Sequence, residues 1–183
     1  ELPAQPEDES CAVRWLCYAA LLHESNPPAR VAAGNTHSVF IDGEGRLSSC
    51  GSAPWFSPGL LGHGEGVTRL NTTTLLPSSP LGDERAVSVS AGDFHSLALT
   101  ADGAVWSWGF GASGQLGHGD GQNQHLPKKV EAFAGRRVVA VSAGAAHSLA
   151  LAADGAVWSW GSGNFGRLGH GVEQNQLLPK KVE

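Results

Sequence analysis

A chain of 183 residues, 41% apolar and 16% charged, has the composition of a folded globular protein, which excludes a disordered one. Its net charge of −5, with the basic residues dispersed, argues against the concentrated cationic surface that direct nucleic-acid or anionic-membrane binding requires, and no apolar run approaches the length of a membrane span. Its 25 glycines point instead to many tight turns, the mark of a turn-rich β architecture.

Residues 1–29 form an N-terminal extension. Within it Ser10 is placed to cap a helix over 10–23, with Val13, Leu16, Cys17, Ala20 and Leu21 on one stripe. From residue 30 onward the chain repeats itself in three units, 30–80, 81–131 and 132–183. Residues 91–131 laid on 143–183, a shift of 52, agree at 31 of 41 positions, far beyond chance. The first unit is a worn copy: it keeps Ala33-Gly34, His37-Ser38, Gly51, Leu61-Gly62-His63-Gly64 and Leu76-Pro77 in order. It has extra loop residues, and Ser48 and Cys50 where the others have tryptophans.

Each unit predicts four strands. In the second, Ser96-Leu97-Ala98-Leu99-Thr100 and Ala104-Val105-Trp106-Ser107-Trp108 alternate and are joined through Asp102-Gly103, a dipeptide suited to positive φ, so they form a hairpin. In the third unit a β-branched run, 137–142, precedes the matching hairpin; in the second, a weakly alternating Lys128-Lys129-Val130-Glu131 follows it. Between hairpin and last strand lies a glycine-rich polar stretch, 109–124, suited to a loop over one rim. A four-stranded sheet recurring at this interval cannot bury its faces alone. It is the signature of a propeller blade, with Trp106 and Trp108 on one face of their strand and available to the neighbouring blade. The fold class is therefore all-β: a partial β-propeller of three four-stranded antiparallel blades, with a short N-terminal helix. The opening strand of a fourth blade is expected at 178–183.

The units resemble the repeats of the regulator of chromosome condensation family, whose pattern of Gly, His-Ser, Asp-Gly, Trp-Gly and Gly-Gln-Leu-Gly-His-Gly covers residues 31–183. The most specific stretch is 109–119. The resemblance implies a seven-bladed propeller, more than this chain supplies, so a fragment of a longer propeller or a piece ordered within an assembly is expected. It also implies guanine-nucleotide exchange on a small Ras-like GTPase, the activity of the family's founding member.

Residues that suggest chemistry fall into the repeat register. Gly109-Phe110-Gly111-Ala112-Ser113-Gly114 and its copy at 161–166 spell a dinucleotide-binding pattern, but Leu-Gly-His-Gly follows where that fold needs a helix. His37, His95, His147 and His63, His118, His170 recur in every unit. A catalytic group is needed once, whereas a residue renewed in each blade ties strand to loop. No catalytic residue, cofactor site or metal site is expected. Lys128-Lys129 and Lys180-Lys181 read as a solvated strand edge.

The letters that differ between units two and three are free to meet a partner. Phe94, Phe110, Gln115, Phe165 and Arg167 stand out among them, joined by Trp55 and Phe56 in the extra loop of the first unit. The resulting expectation is a non-enzymatic scaffold that binds other proteins through its rim, within a multi-subunit complex, with exchange on a small GTPase as the alternative. Cys11, Cys17 and Cys50 cannot all pair and show no metal or redox spacing, so an intracellular, reducing compartment is expected.

Overall fold

The structure, a computed structural model, describes residues 29–77 and 81–183; the helix expected over 10–23 lies outside the described residues. Twelve strands form three sheets, each with its strands in chain order. The first holds β1 (Val31–Ala33), β2 (His37–Ile41), β3 (Leu47–Ser52) and β4 (Arg69–Leu75). The second holds β5 (Ala86–Ala91), β6 (His95–Thr100), β7 (Val105–Gly109) and β8 (Gln124–Lys129). The third holds β9 (Val138–Ala143), β10 (His147–Ala152), β11 (Val157–Gly161) and β12 (Gln176–Lys181). All pairings are antiparallel, giving three blades of a partial β-propeller.

One strand differs from expectation. Residues 178–183, expected to open a fourth sheet, contribute instead to β12, the outermost strand of the third, with Trp158 opposite Lys181 and Ser159 opposite Lys180. Leucine-proline-lysine-lysine alternates too weakly to reveal its partner, and pairing with the adjacent hairpin satisfies its backbone groups without a new sheet.

The hairpins follow from local chemistry. Asp102 Oδ1 accepts from the Ala104 amide at 3.1 Å, and Asp154 Oδ1 accepts from Ala156 at 3.0 Å, so the aspartate stabilises the turn that Gly103 and Gly155 permit with positive φ. The register His95↔Gly109 through Leu99↔Val105 then places alternate residues on opposite faces.

The core lies between sheets. Trp108 is fully buried against Val39, Ile41 and Leu47 of the first sheet and Val89 and Ala98 of its own. Trp160 repeats this one junction on, against Leu97, Leu99, Val105 and Val130, with Phe133 edge-on at 5.6 Å. Each tryptophan strand thus faces the preceding sheet, and the first sheet has Ser48 and Cys50 at the equivalent positions of β3. On the free face of the third sheet Leu149, Leu151 and Val157 are half-buried, whereas Leu97, Leu99 and Val105, at the same positions in the second, are buried. Facing sheets supply the apolar contact that a single sheet lacks.

Polar contacts repeat with the same period. His37 Nε2 lies 2.7 Å from Ser96 Oγ, and His95 Nε2 lies 2.8 Å from Ser148 Oγ, each linking one sheet to the next. The second histidine series works within a sheet: His63, His118 and His170 lie 3.0, 3.0 and 2.9 Å from Ser49, Ser107 and Ser159. The strand-to-loop bond expected of all six histidines holds for this second series, while His37 and His95 of the first bridge sheets. The long loops also reach across, Gly64 N donating to the His125 carbonyl at 2.9 Å and Gly119 N to that of Leu177 at 3.0 Å.

Candidate protein-binding rim

In every sheet the connection between the first and second strands and that between the third and fourth emerge at one end, so three short loops and three long ones form a single rim. Phe94 sits at its centre, in the turn before β6. Its carbonyl oxygen accepts twice, from Phe110 N at 2.9 Å and from Ser57 Oγ at 3.1 Å. Those bonds gather three loops from two sheets around one backbone atom. Gly109 makes the approach possible: its φ is +104°, and a Cβ there would strike the Phe94 carbonyl.

The loops carry their aromatic rings into one row. Trp55 meets Phe56 at 5.5 Å between centroids, Phe56 meets Phe94 at 5.9 Å, and Phe94 meets Phe110 at 6.3 Å, every pair edge-to-face. The row rises out of the molecule as it crosses from the second sheet to the first. Phe110 and Phe94 are half-buried, Phe56 is 45% exposed and Trp55 is 89% exposed. A ring chain anchored at one end and bare at the other is a preorganised apolar surface, of the residue types that dominate binding energy.

The other sequence-selected positions lie apart from this row. Gln115 is fully buried. Its side-chain oxygen accepts from Ser113 N at 3.0 Å, and its carbonyl accepts from Ser148 Oγ and Trp160 Nε1, each at 2.8 Å. It therefore joins the second sheet to the third and has no surface to offer a partner. Arg167, its counterpart in the third sheet, is half-buried, donates through Nε to the Asn164 carbonyl at 2.8 Å and lies 5.4 Å from the Phe165 ring. Phe165 is 86% exposed with φ of +61°, a strained conformation for a bulky residue.

Reasoning from the sequence missed Ser57, since one serine in a variable insertion carries no signal until Phe94 is placed beside it. Burial favours the neutral form of His37, His63, His95, His118 and His147. His37 and His118 are pushed down to about 4; His95, deepest and flanked by His147 and His37, is pushed down to about 3. Among the described residues no cluster of His, Cys, Asp and Glu is placed to hold a metal ion, and no helix is long and apolar enough to cross a membrane.

Comparison with known proteins gives one consistent result. Two family models, both described as the regulator of chromosome condensation (RCC1) repeat, match residues 102–151 and 154–183, and residues 86–115 and 138–167. The chain is 38% identical over 156 residues to the human E3 ubiquitin-protein ligase HERC2, covering 85% of this chain and 3% of that protein. It is 39% identical over 153 residues to the ultraviolet-B receptor UVR8 of Arabidopsis thaliana, covering 83% of this chain and 33% of the receptor. Among solved structures, Prp20p from Saccharomyces cerevisiae, described with its binding properties to Gsp1p and histones, superposes with a TM-score of 0.72 at 25% identity. That match covers 84% of this chain and 37% of Prp20p. The chain thus spans a third or less of the two curated relatives.

Proposed function

The chain belongs to the regulator of chromosome condensation repeat family, and from that premise we propose that it is a non-enzymatic scaffold binding other proteins, as part of a larger assembly, through the rim that carries Phe94. One observation carries this reading: Trp55, Phe56, Phe94 and Phe110, contributed by three loops of two sheets, form a continuous ring row that ends almost fully exposed. An indole left in water contributes little to folding, and its burial by a partner contributes much to binding. The frame beneath serves the same end. Neutral, hydrogen-bonded histidines and buried tryptophans hold the loops rigid, which lowers the ordering cost of association.

The likeness to Prp20p favours a second reading, guanine-nucleotide exchange on a small Ras-like GTPase, since that protein is described as binding Gsp1p. Two measurements separate the readings. Cross-linking of the native complex, with contacts located by mass spectrometry, is expected to place partner peptides on 53–57, 92–94 and 110–113, and Trp55→Ala with Phe56→Ala to release that partner. Nucleotide release from a panel of small GTPases is expected to be unchanged by the protein; strong stimulation would favour exchange over scaffolding.

A further inference from the structure

Resting on the reading of this rim as a docking surface, we propose that the segment it takes is cationic. It is a stretch of another protein bearing arginine or lysine side chains, laid on the exposed rings of Trp55 and Phe56 and matched by carboxylates of the same rim.

The distribution of charge supports the choice. The rim loops, 34–36, 53–68, 92–94, 110–123, 144–146 and 162–175, carry Glu65, Asp93, Asp120 and Glu173 against one cation, Arg167. Arg69 stands at the same end, as the first residue of β4. Lys128, Lys129, Lys180 and Lys181 sit toward the other end of their strands, opposite the start of the tryptophan strands. Arg46, Arg85, Arg136 and Arg137 also belong to that opposite end. Among the described residues the salt bridges are those of Arg46 with Asp42 and Glu44, on the far rim, so none of the four rim carboxylates is neutralised by an ion pair there. Asp93 directly precedes Phe94, which places one of these charges beside the ring row.

The rings suit the same ligand. A guanidinium or ammonium group is drawn to the negative face of an aromatic ring, most strongly of an indole. This chain already makes that contact twice, with Arg136 lying 5.0 Å from the Trp158 ring and Arg167 lying 5.4 Å from that of Phe165. Trp55 has the same chemistry and is 89% exposed. Arg167 is engaged by Asn164 and Phe165 in the third sheet, so it does not answer the charge of the first two. A purely apolar segment would cover the rings and leave the carboxylates uncompensated, and an acidic one would be repelled.

The test uses the intact protein and three fluorescein-labelled twelve-residue peptides: alternating glycine and arginine, the same with glutamine for arginine, and the same with glutamate. Saturable binding of the arginine peptide is expected, with the glutamine peptide about ten-fold weaker and the glutamate peptide not bound. Trp55→Ala and Asp93→Asn are each expected to weaken the arginine peptide about five-fold, and Glu131→Gln on the far rim to leave it unchanged. Both rim residues are at least partly exposed, and an unchanged melting temperature verifies that the variants fold. Equal binding of arginine and glutamine peptides, or undiminished binding by both rim variants, overturns the proposal. If the peptides are not distinguished while Trp55→Ala with Phe56→Ala still releases the native partner, the cationic ligand is refuted and the scaffold stands; if that partner is also retained, both readings fall.

Discussion

His95 Nε2 lies 2.8 Å from Ser148 Oγ, a buried bond that runs from the second sheet to the third. Ser148 has one hydroxyl proton and donates it to the Gln115 carbonyl at 2.8 Å, so the imidazole must be the donor, neutral and protonated on Nε2. The same logic applies within sheets, where Ser107 Oγ donates to the Leu116 carbonyl at 2.7 Å and accepts from His118. Removing the Ser148 hydroxyl strands the buried His95 donor, while the Gln115 carbonyl keeps its bond from Trp160 Nε1. Ser148→Ala is therefore expected to lower unfolding free energy by about 1–3 kcal/mol, read from the urea midpoint.

Acid should loosen the frame before it affects the carboxylates. His37, His95 and His118 are held below their ordinary value of 6.5, to about 4, 3 and 4, chiefly by burial. Once unfolded they take up a proton near 6.5, so the unfolded state binds more protons as pH falls below that value. The stability they confer is complete above about 6.5, and declines as pH falls toward about 4, and on to about 3 for His95. Urea midpoints measured from pH 7.5 to 4 are expected to fall steadily across that window. A midpoint flat to pH 4.5 would show that these rings ionise in the folded protein.

Tryptophans of the two kinds should behave oppositely. Trp160 is fully buried at a sheet junction, and Trp160→Ala is expected to cost about 3–5 kcal/mol. Trp55→Ala at the rim is expected to change stability by less than about 0.5 kcal/mol, so its effect should appear in binding alone. Chemical denaturation of the two variants side by side checks the contrast.

Gly92 occupies the junction between the second and third sheets, where an added Cβ would strike the Gly144 carbonyl oxygen. Gly92→Ala is expected to destabilise by about 1–3 kcal/mol through overpacking. Gly43, in the first hairpin turn, has open space around it and no positive φ, so Gly43→Ala is expected to be near neutral or slightly stabilising in the same measurement.

Phe165 adopts φ of +61° with its ring in solvent. Glycine tolerates that conformation without the clash, so Phe165→Gly is expected to raise the melting temperature, by an amount corresponding to about 1 kcal/mol. A fall instead would mean that the contact with Arg167 outweighs the strain.

Much of the frame was legible in the sequence because its causes are local and repeated. Asp102-Gly103 makes its own turn, and alternation across Val105–Gly109 puts Trp106 and Trp108 on one face wherever the strand lies. What escaped depends on neighbours far along the chain. The last strand carries a weak pattern, and only the free edge of β11 assigns it to the third sheet. The burial of Gln115 appears only when Ser148 and Trp160 of the third sheet are seen to bond its carbonyl. The site divides the same way. The rim rings could be selected as hot-spot types one at a time, but their continuity rests on Ser57 and Phe110 meeting the Phe94 carbonyl, a juxtaposition without periodicity.

The bonds between sheets use the same letters at each junction: a histidine on one side, a serine on the next, and glycines in close contact between them. Units built this way are interchangeable, so copying one inserts a working hinge-free joint without redesign of its neighbours. The loops above are outside that agreement. Recognition can drift from unit to unit while the architecture is inherited unchanged, and a gene that duplicates such a segment acquires a spare surface already mounted on a sound foundation.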